Sequence, residues 1–234
     1  MRLGMTNRLK TVRKRGMTIP RISASLMAAD GARLGDVCRM ADDLGVDSLH
    51  WDIMDGHFVP NLTFGPATIK SCRAISKMEF DVHLMVADPA RWIDVFAQAG
   101  ADYLSVHVEL GTTVPALLSQ IKKAGCKVGL AVNPGTKLEI IDKSIWPMLD
   151  RLLLMSVNPG FGGQEFIDVT EKISQAAALR REFPNMDITV DGGINGKTAD
   201  SVIKAGAMTL VSGSGLFENG LPLQTKLSGL RGNA

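Results

Sequence analysis

Four side chains in this sequence have the types and spacing to share one cation. His50 and Asp52 stand two residues apart in His50-Trp51-Asp52-Ile53-Met54-Asp55-Gly56. His83 lies in Asp81-Val82-His83-Leu84-Met85, and Asp191 ends the run Ile188-Thr189-Val190-Asp191 before Gly192-Gly193. In a strand, residues two apart share a face, so His50 and Asp52 point the same way while Trp51 and Ile53 point the other. A buried His or Asp is commonly a structural hydrogen-bonder, but four in apolar surroundings would each cost several kcal/mol unpartnered. A metal ion satisfies all four together, and imidazole with carboxylate suits zinc foremost, with iron, manganese or cobalt as alternatives. His57 and His107 lack the pattern and are left out.

Two carboxylates from different strands, Asp52 and Asp191, would then flank a substrate. That arrangement suits removal of a proton on one face and delivery on the other, with a metal stabilising the enediolate between the two steps. A second cluster is glycine: Gly160-Phe161-Gly162-Gly163, Gly192-Gly193 and Gly213-Ser214. Glycine-rich loops and helix starts let backbone N–H groups approach an anion, so a small phosphorylated substrate is expected. Ser25 is a nearby candidate, and Met54, Met85 and Met155 are expected to pack in the core or line the pocket floor.

The elements that must hold these residues follow from a small repeat. Gly45, Gly100, Gly125 and Gly206 each close a helical stretch and precede an apolar run. Their separations of 55, 25 and 81 residues approximate two, one and three multiples of 27, and the 213 residues after Arg21 hold about eight such units. Eight βα units is a barrel count. Leu34, Val37, Cys38, Ala41 and Leu44 recur at helical spacing, as do Trp92, Val95, Phe96 and Ala99 behind an Asp88 cap and Pro89. The expected strands are Arg21–Ser25, Ser48–Ile53, Phe80–Leu84, Tyr103–His107, Lys127–Ala131, Arg151–Met155, Asp187–Val190 and Met208–Ser212. Strands alternating with helices imply parallel pairing. The fold class is α/β, a single (β/α)8 TIM barrel over residues 22–234, preferred to an open doubly wound sheet. Its active site belongs at the carboxyl ends of the strands.

Composition narrows the function classes. With 234 residues, 45% apolar and 21% charged, the chain is an ordinary globular sequence. It has no apolar stretch long enough to span a membrane. Residues 1–21 hold seven of the 26 Lys and Arg and none of the 24 acids, so residues 22–234 carry 19 bases against 24 acids. The body offers no electrostatic footprint for nucleic acid. The basic leader is read as a disordered extension in preference to a targeting peptide, since it has neither an apolar run nor a serine. Cys38, Cys72 and Cys126, an odd number without CxxC spacing, read as reduced thiols of a cytoplasmic protein.

Four motifs in order resemble those of the ribulose-phosphate 3-epimerase family. They are His50-Trp51-Asp52-Ile53-Met54-Asp55-Gly56-His57-Phe58-Val59-Pro60-Asn61, Asp81-Val82-His83-Leu84-Met85-Val86, Met155-Ser156-Val157-Asn158-Pro159-Gly160-Phe161-Gly162-Gly163-Gln164 and Val190-Asp191-Gly192-Gly193-Ile194. The resemblance implies interconversion of D-ribulose 5-phosphate and D-xylulose 5-phosphate at C3, a step of the pentose phosphate pathway. It also implies one divalent metal per subunit on His50, Asp52, His83 and Asp191, with Asp52 and Asp191 as the catalytic pair. Ser25 and His83 would contact the substrate, and Gly160–Gly163, Gly192–Gly193, Gly213 and Ser214 its phosphate. A homo-oligomer is usual for the family. The chain departs from it with Ala24 where most relatives carry Pro, and with Trp51, which should face outward. Ser25-Leu26-Met27 and Ser214-Gly215-Leu216-Phe217 are also similar to allulose-6-phosphate 3-epimerases, so a hexulose phosphate is the alternative substrate. A catalytically silent metabolite-binding barrel is the other alternative, against which the intact His50, Asp52, His83 and Asp191 stand.

Overall fold

Strands that are apolar on both faces must be covered on both, and here closure supplies the inner cover. In a computed structural model, which describes residues 19–217 and 221–232, the strands are β1 (Arg21–Ser25), β2 (Ser48–Met54), β3 (Glu79–Met85), β4 (Tyr103–His107), β5 (Lys127–Val132), β6 (Arg151–Met155), β7 (Asp187–Asp191) and β8 (Thr209–Ser212). Each pairs in parallel with the next and β8 pairs with β1, so the sheet is a closed eight-stranded barrel as expected. The expected strands are all present, β2, β3, β5 and β7 running slightly further than the apolar runs suggest. The basic leader lies outside the described residues except for residues 19–21.

Outside the barrel run α1 (Leu34–Asp43), α2 (Pro66–Arg73), α3 (Ile93–Ala99), α4 (Val114–Lys123), α5 (Thr170–Leu179), α6 (Ala199–Ala205), α7 (Ser214–Phe217) and α8 (Leu223–Leu230). Leu34, Val37, Cys38 and Ala41 bury one stripe of α1 against the sheet. Trp51 faces outward as expected, fully buried, with ring centroids 5.5 Å from Phe64 and 5.3 Å from Phe80. Gly45, Gly100, Gly125 and Gly206 all take positive φ just past helix ends, the conformation a side chain would strain. Among the described residues no helix is long and apolar enough to cross a membrane.

Two expectations need correction. No α-helix follows β5 among the described residues; its crossover is made by 3-10 turns at Leu138–Ile140 and Trp146–Met148. Pro134 and Pro147 deny that segment the backbone N–H groups a helix requires, and Ile141, Ile145, Trp146 and Leu149 still cover the sheet. Asp88 does not cap a helix with its side chain; Pro89–Arg91 is a separate 3-10 turn and α3 starts afresh at Ile93.

The register carries the site. Followed sideways, Asp52, His83, Ser105, Gly129, Arg151 and Asp187 stand in one row across β2 to β7. Because barrel strands tilt, a row that begins near the carboxyl end of β2 finishes at the amino ends of β6 and β7. Polar side chains therefore run obliquely down one side of the barrel interior. Ala131, Leu153, Met155, Val157 and Val211 form an apolar cluster of their own.

Candidate active site

His50, Asp52, His83 and Asp191 converge at the carboxyl ends of β2, β3 and β7. Their ligand atoms all lie within 4.8 Å of one another. His50 Nε2 stands 3.3 Å from Asp52 Oδ1 and 3.5 Å from Asp191 Oδ2, and His83 Nδ1 stands 3.5 and 3.9 Å from the same two oxygens. Four ligands about 2.1 Å from a tetrahedral ion are about 3.4 Å apart. His50 Nε2 and His83 Nδ1 are buried and have no hydrogen-bond partner among the described residues. Two orphaned imidazole nitrogens facing two carboxylates fit a divalent cation.

Charge at the site agrees with this. Burial disfavours a charged His50, but Asp52, Asp81 and Asp191 outweigh burial and hold its pKa well above the ordinary imidazole value. Burial would raise Asp52, yet His50 and His83 hold it below the usual carboxylate range. The carboxylates thus favour positive charge between them, and a divalent ion supplies such charge without a proton.

The other expected residues gather around one cleft. Its lining includes Ser25, Asp52 and Asp191, the three methionines, and Gly160, Phe161, Gly162, Gly163, Gly192, Gly193, Gly213 and Ser214. Ser25 Oγ donates to Asp52 Oδ2 at 2.7 Å, which leaves Oδ1 to the histidines. His50 and His83 are fully buried beneath the floor. Met54 and Met85 pack with Val59 and against Met27 and Phe58, so they serve as both core and pocket wall.

The chain matches the sequence profile of the ribulose-phosphate 3 epimerase family over residues 21–217. It belongs to the ribulose-phosphate 3-epimerase family. It is 44% identical over 200 residues to the ribulose-phosphate 3-epimerase of Bacillus subtilis, with 84% of this chain and 92% of that one covered. The Rhodobacter capsulatus enzyme of the same name is also 44% identical over 200 residues, covering 86% and 87%. In backbone alone the chain is similar to a mutant tryptophan synthase α-subunit from Pyrococcus furiosus. That match has a TM-score of 0.67 at 17% identity and covers 91% of this chain and 98% of that one; it shares the fold.

In this member of the epimerase family, several residues around the site have roles that the sequence reading did not assign. Asp81 Oδ2 accepts from His50 Nδ1 at 2.8 Å and pairs with Arg151 Nη1 at 2.6 Å. Burial works against ionised Asp81, and Arg151 and His50 more than compensate, holding it below the usual range. His107, set aside in the sequence, meets His83 Nε2 to Nε2 at 2.8 Å and contacts Glu109 Oε2 through Nδ1 at 3.0 Å. Burial first, and His83 next, push His107 down to about 4 against the raising effect of Glu109. Glu109 is held at about 2 despite partial burial, chiefly by its His107 hydrogen bond.

The rim loops of this epimerase are tied together by hydroxyls. Ser156 Oγ donates to the backbone oxygens of Asp191 and Gly192, and Ser212 Oγ to that of Ile194 at 2.7 Å. Gln164 Nε2 donates to Asn158 O and Phe161 O, closing the loop after β6. Gly192 has φ 118, and a Cβ there would collide with Val157. Only glycine lets the β6 and β7 loops approach this closely.

Proposed function

We propose that this chain interconverts D-ribulose 5-phosphate and D-xylulose 5-phosphate, moving the C3 proton between Asp52 and Asp191. The observation that carries the reading is the placement of these two carboxylates. They come from different strands, line the same cleft, and share the two orphaned histidine nitrogens beneath them. The glycine loops after β6, β7 and β8 would take the phosphate, which sets the sugar chain across the floor. One aspartate then accepts the C3 proton and the other returns a proton to the opposite face. Ser25 holds Asp52 by its Oδ2, and Ser156 holds the Asp191 backbone, so neither carboxylate must reorganise during the transfer. A divalent cation held by His50, Asp52, His83 and Asp191, zinc foremost, would polarise the substrate's carbonyl and adjacent hydroxyl and offset charge developing as C3 is deprotonated.

The reading is tested by NMR of D-ribulose 5-phosphate in D₂O with the purified protein, D-allulose 6-phosphate being run in parallel. Deuterium at C3 with D-xylulose 5-phosphate formed is the expected result. Exchange chiefly into the hexulose would move the substrate while keeping the chemistry. No exchange in either, with the metal site filled, would overturn the epimerase reading in favour of a binding protein.

Metal removal gives a second expected outcome. Dialysis against a chelator should lower turnover by two to three orders of magnitude, since a Lewis acid contributes several kcal/mol at about 1.4 kcal/mol per tenfold. One equivalent of Zn²⁺ per chain should restore it; full activity at zero metal content, measured by mass spectrometry, would remove the metal from the mechanism. Assembly as a homo-oligomer, drawn from the family resemblance, and residence in the cytoplasm, drawn from the three reduced thiols, are part of the same reading.

A further inference from the structure

The two histidines of the cluster are held from behind in different ways. His50 Nδ1 gives its proton to a carboxylate, that of Asp81, as metal-bound histidines commonly do. Among the described residues His83 has no carboxylate behind it and faces a second imidazole instead, with Nε2 2.8 Å from His107 Nε2. The ring centroids lie 4.9 Å apart with an interplanar angle of 23°, the nearly coplanar, edge-to-edge meeting that a nitrogen-to-nitrogen hydrogen bond needs. The Phe58 ring lies against His107 with centroids 4.9 Å apart.

With both imidazoles neutral, proton accounting along this chain of contacts has one solution. Glu109 Oε1 accepts from the Asn133 backbone N–H at 2.8 Å, and its Oε2 faces His107 Nδ1 at 3.0 Å. A carboxylate has no proton to give, so His107 Nδ1 donates. His107 Nε2 then carries a lone pair, and the 2.8 Å contact requires the proton to sit on His83 Nε2. That leaves the lone pair of His83 on Nδ1, the nitrogen facing Asp52 and Asp191. The opposite arrangement would set two lone pairs against each other at Glu109 and protonate the nitrogen facing the cation.

We propose that His107 and Glu109 are positioning residues that fix His83 in its metal-binding tautomer. Glu109 is itself anchored to the loop after β5, where Lys172 Nζ of α5 donates to the backbone oxygens of Asn133 and Pro134 at 2.7 Å. The metal ligand is thereby secured through β4 to a neighbouring loop. The proposal rests on the metal reading of His50, Asp52, His83 and Asp191.

The test is Zn²⁺ affinity of the full chain, measured by competition with a chromophoric chelator, alongside two-bond ¹H–¹⁵N spectra of the imidazoles. His107→Leu cannot accept the His83 proton and should bind Zn²⁺ ten- to a hundredfold more weakly. His107→Gln keeps an oxygen able to accept it and should recover part of that loss, a graded response that a packing role would not give. Glu109→Gln, whose amide N–H could donate to His107 Nδ1 and invert both tautomers, should weaken Zn²⁺ as well. In the unsubstituted protein the spectra should place protons on His107 Nδ1 and His83 Nε2. Wild-type Zn²⁺ affinity in folded His107→Leu, or a proton on His107 Nε2, would overturn the proposal; the spectra decide alone if the variant does not fold. A wild-type chain that binds no Zn²⁺ would instead overturn the metal reading, and this proposal with it.

Discussion

Asp191→Asn should lower turnover of D-ribulose 5-phosphate by roughly 10³- to 10⁴-fold. The group is asked to do two things: exchange a proton with C3, worth about 10²–10⁴ in rate, and supply negative charge to the cation. Asparagine is nearly isosteric and keeps an oxygen, so shape is preserved while both jobs fail. The backbone at this position is held independently, by Ser156 N and Oγ donating to Asp191 O at 2.7 and 3.0 Å. The side chain is partly open to the cleft, at 13% exposure, so folding should be little affected. Asp52→Asn should behave alike, and both variants should bind Zn²⁺ more weakly, because Asp52 Oδ1 and Asp191 Oδ2 each face both histidine nitrogens. Steady-state kinetics with metal content measured on the same samples separates the two losses. Either variant retaining a tenth of wild-type turnover with its metal site full would remove that aspartate from proton transfer.

What the sequence made legible follows from range. Period-two alternation within one strand put His50 and Asp52 on the inner face and Trp51 on the outer, and the structure has them so. Glycines after helices marked the repeat because positive φ is a local requirement. The same local reasoning missed Asp81, Arg151, His107 and Glu109. Asp81, Arg151 and His107 each acquire a partner through lateral register, which depends on how far the barrel is sheared. Asp81 meets His50 because they are register partners in β3 and β2, and Arg151 reaches both carboxylates because its row slants from the site to the floor. His107 was passed over although Glu109 follows it at the spacing of Asp52 from His50; its other partner, His83, comes from the preceding strand. The missing helix after β5 was miscounted by a repeat that measures length and is blind to prolines.

Arg151→Met should destabilise the protein by about 3–5 kcal/mol, the cost of stranding a buried charge network by removing one partner. Arg151 is fully buried at the amino end of β6. Its guanidinium pairs with Asp81 at 2.6 Å and with Asp187 at 3.1 Å, lies 3.8 Å from Glu79, and rests 4.0 Å above the Tyr103 ring. Methionine fills the volume and returns none of the charge. Arg151→Lys should recover little, since one ammonium cannot reproduce a planar fork that spans two carboxylates. The sign with pH follows from Asp81, whose folded pKa Arg151 depresses. Its contribution is present above the ordinary carboxylate pKa of about 3.9 and is lost as pH falls toward the lower folded value. The gap between wild type and Arg151→Met should therefore be widest near neutral pH and shrink on acidification. Denaturant unfolding at several pH values measures it, and a loss below about 1 kcal/mol at pH 7, or a gap that grows in acid, would show that the barrel floor does not depend on this ion pair. Because Asp81 also holds His50, the same substitution should weaken Zn²⁺ binding, so that one residue at the far end of the barrel links stability to the site.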